Sequence, residues 1–183
     1  HLSSHFWLPK CCATANLAGV TLLLTTVSTP IGSLNLIADE HVLLGANLST
    51  LKALKESLSL EDSKRVIQTV DKIPVISDLI NDYFDGDVSA LNAIQVRQLG
   101  AHFSQSAWKA MRKVSAGKTM SYADLAVRAG SGDAVRAAGS ACAKNAIVLV
   151  VPCHRIVKTG GALGNYAYGL SKKEWLLRHE GAL

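Results

Sequence analysis

A cysteine, a histidine and an arginine stand side by side at Cys153-His154-Arg155, directly behind the run Ile147-Val148-Leu149-Val150-Val151 and Pro152. The thiolate is the nucleophilic form of cysteine, and neighbouring cations or an ordered base raise its population, so the triplet has the residue types of a nucleophilic centre. The five apolar residues fit a buried strand, and Pro152, which lacks a backbone donor, ends its ladder. Cys153 is thereby expected at a strand end, where a reactive atom can meet a ligand. The same thiol also fits a small buried core residue. Consecutive side chains of an extended chain point to opposite faces, so His154 reaches Cys153 only across a turn or through a water.

The elements that must hold this centre lie in two halves of opposite charge. Residues 1–96 carry six Lys and Arg against ten Asp and Glu, net −4, whereas residues 97–183 carry thirteen against four, net +9, within a whole-chain charge of +5. A basic second half points to a polyanion, with nucleic acid the commonest, although a lysine-rich solvated face has the same composition. At 183 residues the chain is long enough for one or two small domains. Cys11, Cys12, Cys142 and Cys153 form neither a zinc-type pair nor a disulfide framework, which favours a reducing compartment. Residues 1–20 read as an extension of unknown role. A secretory signal is excluded there because Thr14, Asn16 and Thr21 interrupt the apolar run, and no stretch reaches the length of a membrane span.

Alternating patterns predict strands over 22–27, 34–38 and 42–48, joined by turns at Pro30-Ile31-Gly32 and Asp39-Glu40, as an antiparallel meander. A short helix over 51–60, a further strand over 65–69, and a helical stripe through Ile76, Leu79, Ile80, Tyr83 and Phe84 follow, and 88–99 reads as a connection. In the second half Ser104 precedes a helix carrying Trp108 and Met111. Ser121 with Asp124 forms a capping box for a helix to Ala129, Gly130-Ser131-Gly132 turns the chain, and Asp133 is placed to cap a helix to about Lys144. Ser171 with Glu174 repeats the capping pattern for a last helix to His179.

Two helices across a tight glycine turn make a helix-turn-helix candidate, although ordinary cores also contain such pairs. The helix after Asp133 carries Ala134, Ala137, Ala138, Gly139, Ser140 and Ala141. A mid-helix glycine costs about 1 kcal/mol against alanine, so a close backbone approach is expected, either to another helix or to a DNA groove. Arg136 falls in the first turn, where the helix dipole disfavours a cation, and it fits a DNA contact or a surface ion pair.

Pro152-Cys153-His154-Arg155 closely resembles the active-site signature of the O6-alkylguanine-DNA alkyltransferase family. Ser121-Tyr122-Ala123-Asp124-Leu125-Ala126, Arg136-Ala137-Ala138-Gly139, Asn145, Gly164-Asn165-Tyr166 and the segment from Lys173 to Gly181 resemble that family's landmarks in its order. The likeness is strong from Phe103 to Gly181 and looser from Thr29-Pro30-Ile31-Gly32 onward. It implies an α+β chain: a small antiparallel-sheet, ribonuclease H-like domain over 21–97, then a mainly helical winged-helix or helix-turn-helix domain over 98–183 that carries the active site.

The resemblance also implies the chemistry. Double-stranded DNA containing alkylated guanine is the partner, and the damaged base is flipped from the stack with Arg136 filling the gap, helped by Ala137, Ser121 and Tyr122 as DNA contacts. Cys153 takes the alkyl group irreversibly, so the protein is consumed; O6-methylguanine is the main substrate, with O4-methylthymine as a further one. His154 removes the thiol proton through a water, Glu180 orients His154, Tyr122 donates toward N3 of the leaving guanine, and Asn145 holds the turn before the active-site segment. Main-chain groups near Ile156 and Ala167 read the base, with Tyr166 and Tyr168 at the pocket.

The chain also departs from the commoner pattern. Ala146 stands where proline is frequent, and Tyr168 stands where glycine is frequent, which is expected to narrow the pocket against benzyl adducts. The family's zinc-binding set has no counterpart in the first half, so neither metal nor cofactor is expected. A monomer is anticipated, in the cytoplasm of a bacterium or archaeon or in the nucleus of a eukaryote. The competing reading is a helix-turn-helix protein that binds damage or regulates transcription without alkyl transfer; a cysteine hydrolase is disfavoured because none of that class's motifs is present.

Overall fold

The computed structural model describes residues 21–183; the reading of residues 1–20 as an extension lies outside them. The expected meander forms from β1 (Leu22–Thr29), β2 (Gly32–Asp39) and β3 (Val42–Asn47), paired antiparallel in sequence. Its two turns need left-handed backbone, supplied at Gly32 (φ 114°) and Glu40 (φ 53°). Two outer strands are parallel to their neighbours: β4 (Ile67–Thr69) to β1 and β5 (Gln95–Val96) to β3, giving the order β4-β1-β2-β3-β5.

The sheet is therefore mixed, where a purely antiparallel one was expected. Parallel neighbours require crossover connections. These are supplied by α1 (Leu51–Glu56) and α2 (Leu60–Ser63) on one side, and by α3 (Ile76–Phe84) with a 3-10 turn at Ala90–Ala93 on the other. Thr50 and Ser59 cap the first two helices, accepting from the backbone N–H of Ala53 (3.1 Å) and Asp62 (3.0 Å). At two residues, β5 is too short to show a period, which is why 88–99 reads as a plain connection.

The second half comprises α4 (His102–Arg112), β6 (Met120–Ser121), α5 (Tyr122–Arg128), α6 (Val135–Ala143), a 3-10 turn at Cys153–Arg155, β7 (Ile156–Val157) and α7 (Leu170–His179). Ser121 caps α5 through the N–H of Asp124 at 3.0 Å, as its spacing predicts. Three other helix starts differ. α4 begins at His102, ahead of Ser104. α6 begins behind Ala134 with no side-chain cap, so Asp133 does not cap it, and α7 starts behind Gly169, whose φ of 100° leads the chain in without help from Ser171. α4 and α6 are tied where the Trp108 indole N–H donates to the Ala141 carbonyl at 2.9 Å.

The apolar run before Pro152 is not a strand. Only Ile147 joins the sheet, as a parallel bridge to Ala46 at the end of β3: Ala46 N–H donates to the Ala146 carbonyl (2.9 Å) and Val148 N–H to the Ala46 carbonyl (3.1 Å). The chain then coils through a buried turn in which Leu149 adopts φ 73°. All five side chains are buried regardless. An unbroken apolar stretch reports burial and carries no period to distinguish strand from turn.

One buried apolar cluster runs through both halves, joining Leu34, Leu36 and Tyr83 to Trp108, Ile147 and Leu176. Among the described residues no helix is long and apolar enough to cross a membrane. At the approach to α4, a Cβ on Gly100 would overlap the Trp108 ring. Gly100→Ala is expected to lower stability by about 1–3 kcal/mol through overpacking, read as a lower urea midpoint at unchanged slope.

Candidate active site

Pro152 ends the buried turn and Cys153 opens the 3-10 turn that follows, so the thiol emerges from the core at 8% exposure into a cavity of about 510 Å³. One wall is α6, through Arg136, Gly139, Ser140, Cys142 and Ala143; the facing wall is Tyr122 with the segment from Gly164 to Ala167. Burial raises the Cys153 thiol, while the Asn145 amide and the Lys173 ammonium pull it in the opposite direction.

The imidazole of His154 is fully buried, with Nε2 2.6 Å from Glu180 Oε1. Arg155 donates to the same carboxylate from Nε (3.1 and 3.0 Å) and Nη2 (2.8 Å), and from Nη1 to the Val114 carbonyl (2.6 Å). Burial alone would raise the Glu180 carboxyl, but the bonds from His154 and Arg155 outweigh it and hold it at about 2. For His154, burial outweighs the attraction of Glu180 and lowers its pKa. With Arg155 as the standing counter-charge, the imidazole is neutral near pH 7: Nε2–H donates to Glu180, leaving the lone pair on Nδ1. Nδ1 is buried and has no protein partner.

Around the thiol, Asn145 acts as a backbone clasp. Its Oδ1 accepts from Ile147 N–H (3.1 Å), and its Nδ2 donates to the Val151 carbonyl (2.8 Å). Tyr122 presents its hydroxyl 3.5 Å from the Asn165 carbonyl. Burial, with the two thiols Cys142 and Cys153 nearby, pushes it up to about 12. Gly164 is required by this ring: its φ is 73°, and a Cβ there would fall 2.9 Å from the Tyr122 hydroxyl.

A family model described as "6-O-methylguanine DNA methyltransferase, DNA binding domain" matches residues 102–182. The methylated-DNA--protein-cysteine methyltransferase of Salmonella typhimurium is 36% identical over 168 residues, covering 88% of this chain and 97% of that relative. The chain belongs to the methylated-DNA--protein-cysteine methyltransferase family. Its human relative of the same name is 34% identical over 170 residues, covering 86% of this chain and 79% of its own. Among solved structures, that of the Mycobacterium tuberculosis O6-methylguanine methyltransferase superposes with a TM-score of 0.69 at 28% identity, over 88% of this chain and 93% of that one. A crystal structure of the same organism's OGT in complex with DNA gives 0.71, covering 87% and 93%. The mixed sheet followed by a helical second half is this family's α+β fold.

Seen beside that membership, the structure places Cys153, Tyr122, Tyr166 and Ala167 on the cavity wall, with His154 paired to Glu180 in the core next to Cys153 in the chain and Asn145 clasping the buried turn before it. Arg136 is exposed at the cavity rim, with Ala137 half-buried beside it, and Ser121 serves as the cap of α5. Two expected pocket residues sit elsewhere. Ile156 is wholly buried and does not line the cavity, its carbonyl being taken by Lys173. Tyr168 also lies off the wall: its ring meets Tyr166 edge-on and its hydroxyl lies beside the Leu48 backbone.

The cation nearest in sequence to the thiol is turned away from it. Arg155 turns to Glu180, whereas Lys173, with no exposed surface, points inward and donates to the carbonyls of Ile156 (2.6 Å) and Asn165 (3.2 Å). A signal for it existed: Lys173, Leu176, Leu177 and Glu180 follow the helical i, i+3, i+4, i+7 stripe, which puts two charges on the buried face of α7. Cys142 lines the cavity as well.

Replacing Glu180 tests the ion set. Glu180→Gln leaves the Arg155 guanidinium buried without its counter-charge, and stability should fall by about 3–5 kcal/mol. The carboxyl is held at about 2 against an ordinary 4.5, so its contribution is full above about pH 4.5 and is lost as pH falls toward 2. Urea melts across that range should show the acid-side slope in the parent chain and a flatter one in the variant.

Proposed function

We propose that this chain repairs DNA directly, by transferring the alkyl group of O6-alkylguanine, chiefly O6-methylguanine, to Cys153. The observation that carries this reading is the thiol at the floor of an open cavity, backed by the buried His154, Glu180 and Arg155 set and walled by the small-residue helix α6. Residues 98–183 act as the DNA-binding and transferase part and 21–97 as its scaffold. The base is flipped into the cavity and Arg136 at the rim takes its place in the stack. Flipping costs a few kcal/mol, which pocket and stacking contacts offset.

In the transfer, the neutral His154 accepts the thiol proton at Nδ1 through a bridging water. The sulfur lone pair then forms the S–C bond as the bond from carbon to guanine O6 breaks, and Tyr122 donates toward N3 so that guanine leaves without net charge. The thioether is inert, so each molecule acts once. O4-methylthymine offers the same alkyl–oxygen bond and is a second substrate. Every group in this sequence comes from one chain, consistent with a monomer, and the free thiols of Cys142 and Cys153 suit the reducing cytoplasm.

Incubation with a duplex containing O6-methylguanine should add one methyl group to the peptide bearing Cys153, and none in Cys153→Ser; DNA binding without a mass gain would instead support a damage-binding regulator. The open face of α6 supplies a second test, because a Cβ on Gly139 meets nothing within 4 Å. The glycine is thus not required by the protein's own packing. Gly139→Ala should leave the fold as stable or up to about 1 kcal/mol more stable, yet weaken duplex binding in a fluorescence-anisotropy titration.

A further inference from the structure

The side chain of Gln98, at the junction of the two halves, ends on Asn145 and the Ala146 backbone, and Gln98 itself lies outside the set of residues that the transfer chemistry uses. Its Oε1 accepts from the backbone N–H of Ala146 at 2.9 Å, and its Nε2 donates to Asn145 Oδ1 at 3.0 Å. The backbone beneath it is held from both sides. Arg97 N–H donates to the Leu43 carbonyl of β3 (3.0 Å), and Gln105 Nε2 from α4 donates to the Gln98 carbonyl (2.6 Å).

We propose that Gln98 is a positioning residue for the nucleophile, acting through the orientation of the Asn145 amide; this rests on Cys153 being the alkyl acceptor. A primary amide has one accepting and one donating end, and only the hydrogen-bond network decides which way it faces. The Ala146 N–H can only donate, so it fixes Oε1 of Gln98 toward itself and turns Nε2 toward Asn145. Asn145 Oδ1 then receives two donors, from Gln98 and from Ile147 N–H. A flipped amide would set N–H against N–H at both. The Asn145 Nδ2 group is therefore committed to the Val151 carbonyl (2.8 Å) and the Ile147 carbonyl (3.4 Å), and Cys153 N–H donates to that same Val151 carbonyl (2.9 Å), so the amide fixes the backbone from which the thiol projects and presents a donor side that lowers the thiol's pKa. Without Gln98, the Asn145 oxygen loses one of its two donors and keeps only the local Ile147 N–H.

Two variants of the full chain separate this role from general support. Gln98→Glu keeps an oxygen for the Ala146 N–H but has no donor for Asn145, whereas Gln98→Leu removes both bonds. The first readout is labelling of Cys153 by iodoacetamide as a function of pH, followed by peptide mass so that Cys142 is scored separately; the second is single-turnover methyl transfer from an O6-methylguanine duplex. Both variants should label Cys153 about tenfold more slowly near neutral pH, the size of one lost hydrogen bond, with the pH midpoint of labelling moved upward and methyl transfer slowed to match. In an Asn145→Ala background, Gln98→Leu should produce no further slowing.

A Cys153 labelling profile that is unchanged in both variants overturns the proposal. So does an equal slowing by Gln98→Leu with Asn145 already removed. Urea melts accompany each variant, and Gln98→Glu is the one to read if Gln98→Leu fails to fold. Labelling needs no DNA, so a parent chain that labels normally but takes up no methyl would refute the transferase reading while leaving Gln98 still testable.

Discussion

The Glu180 carboxylate is the anchor on which the site is built. A carboxylate buried at the last turn of a helix is opposed both by desolvation and by the helix dipole. It is tolerated because Arg155 supplies three short charge-assisted bonds and His154 a fourth. Through this cluster the end of α7 grips the 3-10 turn at Cys153–Arg155, and the same guanidinium reaches on to the Val114 carbonyl beyond α4. Three separate stretches of chain are thereby fixed around the residue next to the thiol, and the imidazole is held in a single tautomer. A neutral imidazole keeps an accepting ring nitrogen, which an imidazolium would not.

The remaining requirements are met by backbone more than by side chains. Asn145 clasps the buried turn, the Ala46 to Ile147 bridge moors it to the sheet, and Leu149 takes up the left-handed conformation that lets five apolar residues coil in so little space. Opposite them, α6 gives up bulk along its cavity face. Ala138 and Ala141 allow it to press against α4, while Gly139 faces open space. The same helix thus packs tightly on one side and leaves clearance on the other.

Strong periodicity made β1 to β3 and the stripe of α3 legible in the sequence, and the spacing of Ser121 and Asp124 identified a true cap. Elements whose geometry depends on distant partners were not legible. The run before Pro152 has no alternation, so its burial could be inferred but not its path; β5 is two residues of backbone pairing with no pattern of its own. Asp133 and Ser171 have the composition of caps, yet α6 and α7 enter through the backbone at Ala134 and Gly169. Of the candidate site, the Cys153-His154 motif could be read from residue types, and Glu180 only through the family resemblance. Arg155 adjoins Cys153 along the chain but not in space; the α7 stripe signals that Lys173 is buried but not what it binds, and Gln98 carries no signal, because an amide reveals its purpose only once its acceptors are placed. Ala146 carried a hidden clue: its N–H, which proline would lack, is the group that Gln98 engages.

The mooring of the buried turn to Ala46 also bears on how such a chain can be recombined. The two bonds at that point are made by main-chain atoms, so they ask nothing of side-chain identity but a great deal of where β3 stops. An exchange of amino-terminal halves between relatives would tolerate wide divergence on the sheet's surface, provided the third strand ended in register. Shortening that strand by one residue would leave a carbonyl and an amide stranded beneath the nucleophile.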